Sequence, residues 1–254
     1  MGFRPAFLAS ALLVSAGAIA DVTEEVSYSY PIDKGGRISV DNINGDVTVI
    51  GGSGSTVEIT AVKKAGSQDY LDELKIIIDH SDKAVRIETD HPDRSGMGRW
   101  FNWGDSSGSV TYTLHVPAAV HLDTIESVNG DLEISGVSGT VNASTVNGRI
   151  DARDLQSDAN VETVNGAVEA HFTRFDGTQK AECEAVNGRL VVYLPKNADA
   201  RVNAETINGG IDGSDFGLKT NKGFVGRDID DSIGSGSARL EMSTVNGAIK
   251  IRND

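Results

Sequence analysis

Apolar and polar residues alternate over short stretches along most of this chain, and the stretches meet at a recurring Val/Ile-Asn-Gly triplet. Asn-Gly occurs at Asn44, Asn129, Asn147, Asn165, Asn187, Asn208 and Asn246, each time after Val or Ile. The last six copies are spaced by 18, 18, 22, 21 and 38 residues. Aligned on the asparagine, the copies share a register. Three residues after it stand Leu132, Ile150, Val168, Leu190, Ile211 and Ile249. Four residues before it stand Ile125, Ala143, Val161, Cys183, Ala204 and Met242. The position two before is small (Ser127, Thr145, Thr163, Ala185, Thr206, Thr244) and the position three before is polar. Period-two alternation on both sides of a turn-forming pair predicts strand, corner, strand. Cys183 occupies an apolar slot and is therefore expected to point inward. Glycine is expected at the corner for its tolerance of positive φ.

Two architectures use such a unit. Asn-Gly is a strong hairpin signal, which points to an antiparallel meander. A hairpin would pair Val or Ile repeatedly with Asp131, Arg149, Ala167, Arg189, Gly210 or Ala248, which conflicts with one buried face. The alternative is a corner that bends the strand, so that copies stack as coils of a parallel β-solenoid about 4.8 Å apart. Asn129, Asn147, Asn165, Asn187, Asn208 and Asn246 would then align in a side-chain ladder. An all-β parallel solenoid is the expected fold. The stretch Ser135–Gly139 is expected to be a second corner.

The N-terminal half is less regular. One copy of the unit covers Ile38–Val49, and Thr56–Lys64, Leu74–Asp79, Ala84–Thr89 and Ser109–Val116 read as strands. The segments Leu114–Pro117 and Val192–Pro195 look like one element used twice, with proline ending a strand. Residues 21–120 are expected to form a β segment that caps the solenoid and continues into it, with 121–254 as the repeat itself. The insertion Gly213–Gly236 is the expected counterpart at the other end.

The first 20 residues read as a secretory signal. Arg4 precedes an apolar stretch from Ala6 to Ala16, and Ala18-Ile19-Ala20 offers a cleavage site before Asp21. The chain is therefore expected to be exported, to the periplasm or the cell surface, with a mature part that does not span a membrane. Its formal net charge of -14 argues against nucleic acid as a partner. One cysteine allows no internal disulfide.

The stretches Glu162–Val168, Glu184–Leu190 and Ser243–Ile249, with Leu114–Ala118 and Gly234–Leu240, resemble the bacterial "putative adhesin" family of exported β-strand-repeat proteins of unknown function. The resemblance covers residues 35–254. It implies a right-handed β-solenoid or incomplete β-helix outside the cytoplasm. It implies no enzyme activity and brings no catalytic residues.

Three groups of residues are candidates for chemistry. Glu162, Glu184 and Glu205 share one outward column, and Glu133, Asp151 and Glu169 share another. Paired carboxylates at strand spacing could serve a glycosidase or hold a divalent cation, or form a solvated face balanced by Arg149, Arg153 and Arg189. The loop His91–Gly108 gathers Trp100, Phe101 and Trp103, which suit a sugar ring or a protein partner, or a cover for the solenoid end. Asp228–Asp231 lacks the glycine and glutamate positions of a calcium loop and reads as an acidic turn. No metal-ligand spacing, nucleophile elbow or phosphate-binding loop is present, so no cofactor is expected. The leading expectation is a non-enzymatic envelope or surface scaffold that binds a glycan or an envelope protein. The alternatives are an accessory or sensor protein of an envelope stress system, and a polysaccharide-active β-helix enzyme.

Overall fold

The structure is a computed structural model that describes residues 21–92, 108–223 and 225–254. Residues 1–20, expected to be a signal, and Trp100, Phe101 and Trp103 lie outside the described residues.

The described residues are all-β apart from one α-helical turn, α1 (Gln68–Glu73), whose first turn is capped by Ser67, and a 3-10 turn at Ser214–Phe216. The N-terminal half supplies β1 (Val22–Pro31), β2 (Arg37–Asn44), β3 (Val47–Gly52), β4 (Thr56–Ala65), β5 (Lys75–Ser81), β6 (Ala84–Asp90) and β7 (Ser109–Pro117). The repeat supplies β8 (His121–Asn129) with β9 (Leu132–Ser135), β10 (Val141–Asn147) with β11 (Ile150–Leu155), β12 (Ala159–Asn165) with β13 (Val168–Phe172), and β14 (Lys180–Asn187) with β15 (Leu190–Leu194). It continues with β16 (Ala200–Asn208) and β17 (Ile211–Asp212), then β18 (Asn221–Lys222) and β19 (Arg227–Ile233), and ends with β20 (Ala238–Asn246) and β21 (Ile249–Asn253).

These strands form two large sheets. One runs β1-β4-β7-β3-β9-β11-β13-β15-β21-β17, the other β18-β19-β16-β20-β14-β12-β10-β8-β2-β6-β5. The Asn-Gly corner joins the two sheets rather than two neighbours within one, so it makes no hairpin. Copies pair in parallel with identical register: Asn129, Asn147, Asn165 and Asn187 stand opposite one another along the stack. Seven strand pairs stack in the same order in both sheets, which makes the fold solenoid-like. Strands β4 and β1 add to one sheet antiparallel, β6 and β5 extend the other, and β19 adds antiparallel to β16.

The stacking order departs from chain order at one place. The last pair, β20 with β21, lies between β14 with β15 and β16 with β17. The copies are interchangeable in sequence, so their pattern alone does not reveal this insertion.

Period-two alternation decides what is buried. The slots four before and three after each asparagine fill the space between the sheets, from Ile125 and Leu132 to Met242 and Ile249. Burying each such branched side chain contributes about 1.5–3 kcal/mol. Phe172 and Phe175 meet edge to face at 4.8 Å in this core. Cys183 is fully buried between Val161 and Met242, and burial pushes its thiol up to about 12.

Two local expectations are corrected. Of the corner glycines only Gly45 has positive φ; Gly130, Gly148, Gly166, Gly188, Gly209 and Gly247 do not. Glycine is needed there because coils approach closely: a Cβ on Gly166 would strike the carbonyl oxygen of Gly148, and one on Gly188 that of Gly166. Residues Asp228–Asp231 form no acidic turn but lie within β19. Ile229 and Ile233 face the core and draw the segment into a strand, while Asp230 on the outer side pairs with Arg201 at 2.8 Å. The segments ending at Pro117 and Pro195 lie in the same sheet and close the same turn, with Val120 N–H donating to Pro117 and Ala198 N–H to Pro195.

Candidate functional site

The corner builds three columns that run the length of the stack. The first is a line of amides. Asn129 Nδ2 donates to Asn44 Oδ1 at 2.8 Å, Asn147 to Asn129 at 2.9 Å, Asn165 to Asn147 at 3.0 Å and Asn187 to Asn165 at 2.9 Å. Asn246 then donates to Asn187 and Asn208 to Asn246, both at 2.8 Å. Beneath it the small residues donate hydroxyls to the glycine carbonyls of the next coil. Thr145 reaches Gly130, Thr163 reaches Gly148 and Thr244 reaches Gly188, each at 3.1 Å. Ala185 interrupts this inner line, leaving Gly166 without that bond.

The second column is aliphatic and faces solvent. Ile43, Val128, Val146, Val164, Val186, Val245 and Ile207 are all exposed, from 38% at Val245 to 51% at Ile207. Alternation explains the direction: the buried hydroxyl slot lies one residue before, so the Val/Ile slot points out. A single exposed valine needs no explanation, whereas seven in one continuous line form a contiguous apolar stripe rimmed by polar residues, the kind of feature that marks interaction sites.

The third column is acidic and runs beside the second. Asp41, Glu126, Ser144, Glu162, Glu184, Ser243 and Glu205 occupy successive rungs. Ser243 separates Glu184 from Glu205, so these two are not neighbours, because the inserted strand β20 lies between theirs. Burial, and then the nearby Glu182, Glu162 and Glu205, raise the Glu184 carboxyl. Among the described residues no ion pair joins Glu126, Glu162 or Glu184; Glu162 accepts a hydrogen bond from Asn160 at 2.8 Å. The second and third columns line a shallow groove of about 440 Å³, with Val146, Val164 and Val186 on one side and Glu126, Glu162 and Glu184 on the other.

The other sheet treats its acids differently. Glu133, Asp151 and Glu169 stand on successive rungs. Arg153 holds Asp151 at 2.8 Å and Glu169 at 3.6 Å, and Arg149 adds a contact to Asp151 at 3.3 Å. His171 binds Glu169 at 3.0 Å and stacks on Tyr193 at 4.1 Å. Asp151 and Glu169 are thus paired, while Glu133 has no ion pair among the described residues. Glu162 and Glu184 have no ion-pair partner among the described residues and lie beside an apolar stripe. Among the described residues no group of three or more His, Cys, Asp or Glu could hold a metal ion, and no helix is long and apolar enough to cross a membrane.

The sequence pattern placed Glu162 and Glu184 together on one face, and the structure brings the exposed valines beside them. Those valines were not singled out from the sequence, although the parity of the alternation points them outward. Trp100, Phe101 and Trp103 lie outside the described residues.

A family model described as "Toastrack DUF4097" matches residues 36–252. No curated protein matches the chain. Among solved structures, a "putative cell adhesion protein" from Clostridium sporogenes ATCC 15579 aligns at 14% identity and a TM-score of 0.50, over 91% of this chain and 100% of that one. A "putative adhesin" from Bacteroides fragilis NCTC 9343 aligns at 13% identity and a TM-score of 0.44, over 89% and 96% of the two chains. At such identities the first likeness shows the fold alone.

Proposed function

This chain belongs to the Toastrack DUF4097 family, and on that footing we propose that it is a non-enzymatic binding scaffold of the cell envelope or surface. The observation that carries the reading is the exposed aliphatic column from Ile43 to Ile207 lying against an acidic column that makes no ion pair among the described residues. Leaving seven branched side chains in water forgoes burial at every rung, and each repeat copy places one there. A partner that covers the column recovers that burial. Glu162 and Glu184 lie on an open groove beside valines, which supports adhesion over hydrolysis.

The stack is taken as a right-handed solenoid, residues 1–20 as a cleaved signal, residues 21–120 as a segment that caps the solenoid and is continuous with it, and residues 121–254 as the repeat. The asparagine line from Asn129 to Asn246 is taken as a structural ladder, and Trp100, Phe101 and Trp103 as a second contact for a glycan or partner.

The test is fractionation of cells carrying the full chain, followed by glycan-array and envelope-extract binding with the purified protein. Export together with retention of an envelope glycan or protein is expected. A chain confined to the cytoplasm, or one that retains neither, overturns the reading.

A further inference from the structure

The spacing of the exposed columns selects a shape of partner, and the inference rests on the binding reading above. Rungs of a sheet are about 4.8 Å apart, so the six steps from Ile43 to Ile207 make a stripe about 29 Å long. Outward neighbours on one strand are about 6.7 Å apart, which sets the acidic column that far to one side of the aliphatic one. The asparagine line borders the other side.

An extended peptide laid along this stripe repeats its same-face side chains every ~6.7 Å and loses register with the rungs within three steps. An α-helix returns a side chain to one face every ~5.4 Å, and over five turns it drifts by less than one rung. A helix of about 19 residues matches the length of the stripe, and its width of about 10 Å spans the aliphatic column and one flank. The flanking carboxylates of Asp41, Glu126, Glu162, Glu184 and Glu205 call for lysine or arginine along that side of the helix. They also disfavour a second copy of this chain, whose net charge is -14 and whose own acidic column would be brought towards this one.

We propose that this face docks a cationic amphipathic helix of about five turns, with its apolar stripe on the Val146, Val164 and Val186 line and its basic flank on Glu126, Glu162 and Glu184. The three sides of the surface then match three sides of the helix: apolar centre, basic edge and polar edge against the amides.

The experiment uses the purified full chain and three 18-residue probes in fluorescence anisotropy. One is a Leu/Lys peptide with helical periodicity, one has the same composition in strict alternation, and one is a Leu/Glu peptide with helical periodicity. The helical Leu/Lys peptide is expected to bind at least about tenfold more tightly than either control, and more weakly as salt rises. Val146→Thr/Val164→Thr/Val186→Thr and, separately, Glu162→Gln/Glu184→Gln are each expected to weaken it about fivefold or more at an unchanged melting temperature. Equal binding of the alternating peptide, equal binding of the acidic peptide, no binding of the helical peptide, or no effect of the carboxamide variant overturns the proposal. If the helical peptide fails while wild-type protein still retains an envelope component, the helix inference falls and the scaffold reading stands.

Discussion

Asn246 donates its side-chain amide to Asn187 at 2.8 Å, although 59 residues of chain separate them. Asn208, which precedes Asn246 by 38 residues, lies on its far side. The last strand pair therefore completes the stack from within. A chain ending at Gly236 is expected to lose cooperative unfolding as a whole, because β14 and β16 each lose a strand-length partner. Urea unfolding followed by circular dichroism checks this. A single cooperative transition of nearly wild-type midpoint would contradict the insertion.

Ala185→Thr is expected to stabilise the protein by about 0.5–1.5 kcal/mol. The threonine hydroxyl would reach the Gly166 carbonyl, as Thr163 reaches Gly148 and Thr244 reaches Gly188, each at 3.1 Å. The measurement is the shift in denaturation midpoint against wild type.

Gly166→Ala is expected to destabilise by at least about 2 kcal/mol, because its Cβ meets the carbonyl oxygen of Gly148. Gly52→Ala has nothing within 4 Å of the new methyl group and serves as the control, with a change below about 0.5 kcal/mol. Thermal melts of the two variants separate close approach from a generic glycine effect.

The inside and outside of the repeat were legible in the sequence. Alternation around the asparagine assigned Val161, Cys183 and Met242 to the core, and they are buried there. The need for glycine was misread as backbone conformation, since a carbonyl from another coil is invisible to a local pattern. That Ser243 stands between Glu184 and Glu205 in their shared column was not legible for a related reason. Adjacency in a stack depends on the order of coils, and identical copies carry no label for that order. The 38-residue gap before Asn246 marks an irregularity without saying where the last copy goes.

Cys183 is expected to resist a water-soluble thiol reagent in the native state and to react fully in denaturant. It is completely buried, and its thiol is pushed up to about 12. Labelling time courses with and without denaturant, read by mass spectrometry, check this.

Asp199 is held down at about 2 by the Ser235 hydroxyl at 2.6 Å and then the Gly236 N–H at 2.6 Å. An unfolded aspartate titrates near ~3.9. A lowered folded value means that the carboxylate stabilises the fold above about pH 4, and that this is lost as pH falls towards 2. Wild type is therefore expected to melt above Asp199→Asn at neutral pH, with the gap closing between about pH 4 and pH 2. A gap that stays constant over that range would show that the bonds do not depend on the charge.

The central claim is that the outer aliphatic column is the binding surface. The most direct measurement is retention of an envelope extract by wild-type protein and by Val146→Thr/Val164→Thr/Val186→Thr, matched for melting temperature. The account predicts that the component held by wild type is released by the variant. Equal retention by both proteins would contradict it.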